Sequence, residues 1–141
     1  MNPGENDKAP SPANQVRAYC AAFGRGDRDA IVALFGPNGL FEFPLLGQRL
    51  VGRAEIAAGL DRIFAILDGC AIELGEVKSA GPAAITEGRL QARLRRGDER
   101  VDAPFALVLE ARDGEVSRLT VYLDSRPHRL WTDGPVLAFG A

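Results

Sequence analysis

Residues 84–95 read AITEGRLQARLR, and side chains of two kinds alternate along this stretch. Apolar or small residues share one face: Ala84, Thr86, Gly88, Leu90, Ala92 and Leu94. The other face carries polar residues: Glu87, Arg89, Gln91, Arg93 and Arg95. Because successive side chains of a strand point to opposite faces, this period of two predicts a β-strand with its apolar face toward a core.

The chain around this strand has the same character. Apolar runs between Cys70 and Ser125 are separated by Gly81-Pro82, Gly97-Asp98 and Asp113-Gly114, and the last two are strong hairpin signals. We therefore predict a three-stranded antiparallel meander. Around residues 103–109 and 119–123 both faces are largely apolar, so the outer face of the sheet should also be covered. A homodimer formed through the outer sheet face would cover it.

Two helices are predicted before the sheet. The first begins at the N-cap Ser11 and ends at Gly24, because apolar residues recur at helical spacing at Val16, Tyr19, Cys20 and Phe23. The second begins after Asp27 and is stopped by the run Gly36-Pro37-Asn38-Gly39. Residues 1–11 have no periodicity and are interpreted as a flexible tail.

A hairpin and a third helix complete the first half of the chain. Residues 40–46 and 49–51 form the hairpin, which turns at Gly47-Gln48. The third helix starts after Gly52 and ends at Asp68-Gly69, and its buried stripe is Ile56, Leu60, Ile63, Phe64 and Leu67. The domain of α+β class then spans residues 12–126, and an irregular C-terminal segment covers residues 127–141.

The composition is typical of one folded globular domain. The 141 residues are 46% hydrophobic and 26% charged, and 17 basic against 19 acidic residues leave a net charge of -2. Nothing in this balance favours nucleic acid or a membrane as a partner. The N-terminus has no targeting pattern, so a cytoplasmic location is expected. Cys20 and Cys70 lack metal-ligand spacing and are interpreted as reduced core thiols, and no cofactor is predicted.

Six short motifs together resemble the SnoaL-like family. They are VRAY at 16–19, Gly26-Asp27, Ala30-Ile31, FEFP at 41–44, GRAEI at 52–56 and YLD at 122–124. The family is related to ketosteroid isomerase, limonene epoxide hydrolase and nuclear transport factor two. The resemblance implies a cone-shaped barrel, in which a curved mixed or antiparallel sheet wraps around three N-terminal helices and encloses a pocket, often in a dimer joined through the sheets.

The resemblance to ketosteroid isomerase implies a role for one residue, but two other catalytic residues of that enzyme are replaced in this chain. Tyr19 stands where those enzymes keep a tyrosine that donates a hydrogen bond to the developing oxyanion. The position of their base holds Phe43, and the position of their proton-carrying aspartate holds Ala106. Steroid isomerisation by that set of residues is therefore not expected.

The resemblance to limonene epoxide hydrolase is similarly incomplete. Its Arg-x-Asp pair falls on Gly88 and Leu90, and its other aspartate falls on Val121. Its water-binding asparagine corresponds to Glu42.

Two acids remain as candidate bases. Asp102 alternates with Pro104 and Ala106, so it points inward if no bulge intervenes, and burial would raise its pKa. Alternatively it lies exposed near a hairpin end. Glu42 stands between two phenylalanines and lies outside the pocket if those residues line it. The single histidine, His128, is expected to face solvent, and Trp131 either stacks over a ligand or anchors its own segment.

Two hypotheses follow. In the first, the cone binds a small apolar organic molecule, and any catalysis is cofactor-independent, with Asp102 or Glu42 moving a proton and Tyr19 stabilising an oxyanion. Isomerase, cyclase, dehydratase and epoxide hydrolase reactions all fit, and the sequence does not decide whether the protein is an enzyme. The predicted ligand-binding residues are Phe23, Phe43, Leu60, Phe64, Thr86, Leu90, Ala106, Val121, Leu123 and Trp131. In the second, the chain is a non-catalytic dimerisation module whose interior is filled by its own side chains.

Overall fold

The chain is described from a computed structural model that covers residues 10–97 and 99–124. Its helices are α1 (Pro12–Arg25), α2 (Arg28–Leu34) and α3 (Arg53–Ile66). Its strands are β1 (Phe35–Phe43), β2 (Gln48–Val51), β3 (Leu67–Leu74), β4 (Lys78–Ala80), β5 (Ala83–Leu94), β6 (Arg100–Arg112) and β7 (Glu115–Leu123). A 3-10 turn (Pro44–Leu46) joins β1 to β2. The predicted tail and C-terminal segment lie largely outside the described residues.

The strands form one mixed sheet of the order β2-β1-β7-β6-β5-β3, with β4 paired to β5 beside this path. Strands β1 and β7 run parallel, and the other described pairs are antiparallel. The sheet is curved and does not close on itself, so the α+β cone is confirmed as an open cone. No described helix has the length and apolar character needed to cross a membrane.

The alternating strand is confirmed as β5. Ala84, Thr86, Leu90, Ala92 and Leu94 are buried on the inner face, and the intervening side chains are exposed. Strands β5, β6 and β7 form the predicted antiparallel meander. The chain before Gly81-Pro82 adds two further strands, β3 and β4, which both pair with β5.

Two predicted stop signals lie inside strands. Helix α2 ends at Leu34, and the run predicted to stop it belongs to β1, where the register with β7 shifts between Phe35 and Leu40. This irregularity needs small residues, because a Cβ atom on Gly39 would lie 2.7 Å from the Phe35 ring. Helix α3 ends at Ile66, and the predicted end at Asp68-Gly69 lies in β3. Asp68 and Gly69 lie between the pairs Leu67–Leu94 and Cys70–Ala92, where the register shifts and Gly69 has a φ of 93°, so the turn signal is accommodated as an irregularity within β3.

The core lies between the inner face of the sheet and helices α1 and α3. Val16, Ile56 and Leu60 from the helices and Phe35 and Phe41 from β1 are completely buried. The first helix is capped as predicted, since the Ser11 hydroxyl accepts a hydrogen bond from the Asn14 amide at 3.1 Å. The stripe of α1 that packs on the sheet also carries Tyr19 and Phe23, so these two side chains face the inside of the cone.

Candidate ligand site in the cone

An apolar pocket lies inside the cone between α1 and the inner face of the sheet. All of its lining residues are hydrophobic: Tyr19, Phe23, Phe43, Ile72, Leu90, Phe105, Leu107, Val121 and Leu123. Helix α1 contributes the first two, and strands β1, β3, β5, β6 and β7 contribute the others. Five of the ten predicted ligand-binding residues therefore lie together in this pocket.

Tyr19 is the one lining residue whose side chain carries an oxygen or nitrogen atom, and the surface of the pocket itself is apolar. Its ring contacts Phe23 and Phe41, each with ring centroids 5.8 Å apart, and its side chain is 4% exposed. Burial raises the pKa of Tyr19 well above the usual 10.0, and the nearby Cys20 and Cys70 raise this pKa further. The hydroxyl makes no hydrogen bond within the described part of the chain. It is therefore a protonated hydroxyl without an acceptor among the described residues.

The free volume of the pocket is small, at about 30 Å³. Aromatic rings occupy most of the space: Phe23 packs on Phe64 with centroids 5.1 Å apart, and Phe43 stacks on Phe41 at 4.9 Å. Ligand pockets usually have a volume of roughly 300–1,000 Å³. The pocket as it stands has room for about one water molecule, so an organic ligand would have to displace side chains.

Asp102 does not face the pocket: of the two orientations that the sequence left open, the structure has the exposed one, and the inward orientation that a catalytic role would need is not found. Its side chain is exposed on the outer face of β6, where it pairs with Arg89 at 2.7 Å. The inner face belongs to the other set of alternating residues, which are all apolar: Val101, Ala103, Phe105, Leu107 and Leu109. Ala106 shares the outer face with Asp102 and does not line the cone pocket, so the prediction that it is a ligand-binding residue of the cone is wrong.

Glu42 also lies on the outer face, as expected if the flanking phenylalanines line the interior. Phe41 and Phe43 are buried on the inner side, and Glu42 accepts a hydrogen bond from the Arg118 Nε at 2.9 Å. The Thr120 hydroxyl lies 3.4 Å from the same carboxylate oxygen. The three predicted catalytic residues are thus not brought together, because only Tyr19 reaches the pocket.

Three other predicted ligand-binding residues have structural roles. Leu60 is completely buried in α3, away from the pocket lining. Phe64 is half-buried behind Phe23. Thr86 is on the inner face, but its hydroxyl donates to the Glu76 carbonyl at 2.9 Å and fixes the chain between β3 and β4. Trp131 and His128 lie outside the described residues.

Ile72, Phe105 and Leu107 line the pocket but are not among the ligand-binding residues predicted from the sequence. Phe105 and Leu107 belong to a stretch in which both faces are largely apolar, so hydrophobicity alone did not identify the inner face. The signal that identifies the inner face of β6 is the alternating set of residues from Val101 to Leu109, because every member of this set is apolar. Ile72 pairs with Leu90, and this neighbour on β5 places it on the inner face.

The two cysteine thiols have low reactivity near neutral pH. Cys20 is buried and Cys70 half-buried, and both are free. Burial raises the pKa of Cys20 to about 12 and that of Cys70 to about 11. Both therefore remain protonated and weakly nucleophilic near neutral pH. Within the described ranges no group of three or more metal-ligating side chains exists.

Comparison with known proteins agrees with this architecture. The model of the SnoaL-like domain matches residues 16–119, from the first turns of α1 to the middle of β7. The chain belongs to the SnoaL-like family. No curated protein sequence matches it.

Solved structures of SnoaL-like and related folds resemble the chain over most of its length. A protein of ketosteroid isomerase-like fold from Catenulispora acidiphila, crystallised with trimethylamine, is 21% identical, with a TM-score of 0.73 over 79% of this chain and 85% of that chain. TerC, crystallised with polyporic acid, is also 21% identical, with a TM-score of 0.73 over 87% and 100% of the two chains. A candidate polyketide cyclase from Xanthomonas campestris is 24% identical, with a TM-score of 0.69 over 83% and 93%. At these identities the likeness establishes the fold.

Proposed function

We propose that this SnoaL-like domain binds a small hydrophobic organic molecule in the cone, in contact with Tyr19, and that no carboxylate takes part in the site. The observation that carries the proposal is the uniformly apolar lining, together with a Tyr19 hydroxyl that has no hydrogen-bond partner among the described residues. A concave apolar surface with few polar groups is the usual form of a ligand site. Because Asp102 and Glu42 face outward, the acid-base mechanism that used them is not part of the proposal.

The small free volume determines how such a ligand would bind. Phe23 and Phe105 line the pocket and have large side chains, so a guest would have to displace at least one of these rings. Displacing packed rings costs free energy. The affinity for a guest should therefore be lower than in a pocket that is already open. Related folds accept guests of different sizes, since one neighbour was crystallised with trimethylamine and another with polyporic acid.

Tyr19 defines the chemistry that the site would recognise. A buried, protonated phenol donates a hydrogen bond, so it favours a ligand with a carbonyl or another acceptor beside an apolar body. Such a hydrogen bond also polarises the carbonyl, but without a base in the pocket it does not complete a proton transfer.

Ligand binding can be tested with a panel of hydrophobic ketones, matched hydrocarbons and aromatic acids. Ligands that bind the native state should raise its melting temperature. We expect Tyr19→Phe to weaken the binding of ketones by about five-fold to ten-fold, the equivalent of one hydrogen bond, and to leave hydrocarbons unchanged. Flat responses of the wild-type protein to the whole panel would contradict the proposal.

A second proposal concerns the outer sheet face, which we infer forms a homodimer. Ile85 is 44% exposed and Tyr122 41% exposed, and Ala106 and Val108 lie half-buried between them in a groove of about 300 Å³. Exposed apolar side chains that form a continuous surface favour association. The filled interior is compatible with this function whether or not a ligand binds.

The dimer can be tested by sedimentation velocity. We expect a dimer for the wild-type chain and a monomer for Ile85→Glu, because a charge would be desolvated at the interface. Gln91→Glu is the matched control, since Gln91 is exposed on the same strand outside the apolar groove and its change should have no effect. A wild-type protein that sediments as a monomer at high concentration would refute the dimer.

A further inference from the structure

Two buried glutamines each hold a side-chain oxygen without a hydrogen-bond partner among the described residues. Gln15 is 3% exposed and Gln48 is 7% exposed, and the Oε1 atom of each is unpaired. Leaving a buried acceptor unpaired costs about 1–3 kcal/mol, so native proteins rarely do so without a reason. The two glutamines lie at different places in the sheet: Gln48 pairs with Phe43, and Gln15 contacts the turn at Gly114.

The orientation of the Gln48 amide follows from its one hydrogen bond. The Nε2 atom donates to the Leu46 carbonyl at 3.3 Å. Reversing the amide would place its oxygen against that carbonyl oxygen, and the two would repel. The Gln48 oxygen therefore points away from the 3-10 turn and remains available to a donor.

Strand pairing places Gln48 beside the cone pocket. Gln48 is the cross-strand partner of Phe43, and such partners have Cβ atoms about 4.5–5.5 Å apart on one face of the sheet. In the parallel pair, Glu42 is in register with Thr120, so Phe43 lies beside Val121. Val121 pairs with Leu107. Gln48 thus ends an inner-face row in which the next three members, Phe43, Val121 and Leu107, line the pocket, and Thr86 of β5 continues the row beyond it.

Gln15 lies at the opposite end of the sheet. Its Nε2 atom donates to the carbonyl of Gly114 at 3.0 Å, in the turn that precedes β7. Leu123, at the other end of β7, lines the pocket. Gln15 therefore has the same chemistry as Gln48 without its location.

We propose that the Gln48 side-chain oxygen is the hydrogen-bond acceptor of the cone and selects ligands that carry a hydroxyl or N–H group. This assignment rests on the proposed ligand site and narrows its substrate class. Gln48 offers an acceptor next to the lining residue Phe43, at the edge of the apolar wall, so the preferred guest is an apolar ring or chain with one polar group that can donate, such as a phenol. A site with a buried acceptor discriminates strongly against an isostere without the donor, because that guest leaves the acceptor unpaired.

The test compares phenol with toluene, which are similar in shape and differ in the donor. Affinities of both probes are measured by calorimetry for the wild-type chain, for Gln48→Met and for the control Gln15→Met. We expect Gln48→Met to weaken phenol binding by about ten-fold and to change toluene binding by less than about two-fold. Gln15→Met should leave both affinities unchanged. Unfolding is measured in parallel, and Gln48→Leu replaces the methionine variant if that variant does not fold.

Each result has a defined meaning. Equal weakening of phenol and toluene by Gln48→Met would show a packing effect and overturn the assignment while preserving the ligand site. Unchanged phenol binding would also overturn it. If neither probe binds the wild-type chain, the proposed ligand site itself fails and the role of Gln48 fails with it.

Discussion

Replacing Gly88 by alanine should destabilise the domain, because two neighbours occupy the space that a Cβ atom needs. That atom would lie 2.5 Å from the Glu73 carbonyl oxygen of β3 and 2.6 Å from the Phe105 Cζ. Ordinary contact begins near 3.4 Å, so strand β3 and the ring would each have to move by about 0.8–0.9 Å. Overpacking of this kind costs about 1–3 kcal/mol.

A gain offsets part of this cost, because alanine restricts the unfolded chain more than glycine by about 0.5–1 kcal/mol. We expect a net loss of about 1–2 kcal/mol in the free energy of unfolding, measured by urea denaturation. Gly24→Ala is the matched control: the nearest atom to its Cβ, the Cys70 carbonyl oxygen, is 3.8 Å away, so only the gain should remain. If Gly88→Ala were as stable as Gly24→Ala, the close packing of Phe105 on β5 would be refuted.

Three further predictions concern the two acids on the outer face, the Thr86 hydroxyl and the two cysteines. Asp102→Asn and Glu42→Gln should each change phenol affinity by less than about two-fold, because both carboxylates face outward; a large loss in calorimetry would place an acid in the site. Thr86→Val should lower the free energy of unfolding by about 1–3 kcal/mol, since it removes the hydroxyl bound to the Glu76 carbonyl; denaturation that matches wild type would contradict this. Stability should fall as pH rises above 9, because the unfolded chain releases thiol protons near its ordinary pKa of 9.0, whereas burial keeps them on Cys20 up to about pH 12 and on Cys70 up to about pH 11. Denaturation at a series of pH values measures that slope, and replacing both cysteines by alanine should reduce it.

The parts of the fold that follow from the sequence are those in which one face is polar. The alternation in β5 identifies its inner face because charged residues such as Arg89 and Arg93 cannot be buried unpaired. In β6 the residues around 103–109 are apolar on both faces, so the sequence left two orientations open for Asp102, inward or exposed, and the structure has the exposed one. The alternating residues from Val101 to Leu109 are all apolar, and this complete set indicates the inner face of β6 more strongly than the position of one acid does.

Turn signals were a weaker guide than long-range pairing. Asp68-Gly69 is a valid helix end by local preference, yet the chain enters β3 at Leu67 because β5 offers an unpaired edge. The same limit applies to Gln48, which was interpreted as part of a turn after Gly47. Its importance comes from its partner Phe43, and strand register of this kind is a tertiary property.

Methyl NMR with phenol as the added ligand tests the central claim most directly, because it shows which side of the sheet a guest touches. The two faces carry separate reporters: Ile72, Leu90, Val121 and Leu123 line the cone, while Ile85 and Val108 line the outer groove. We predict saturable shifts of the cone methyl groups and little change at the outer pair. Shifts confined to the outer pair, or none at any phenol concentration, would contradict a ligand site inside the cone.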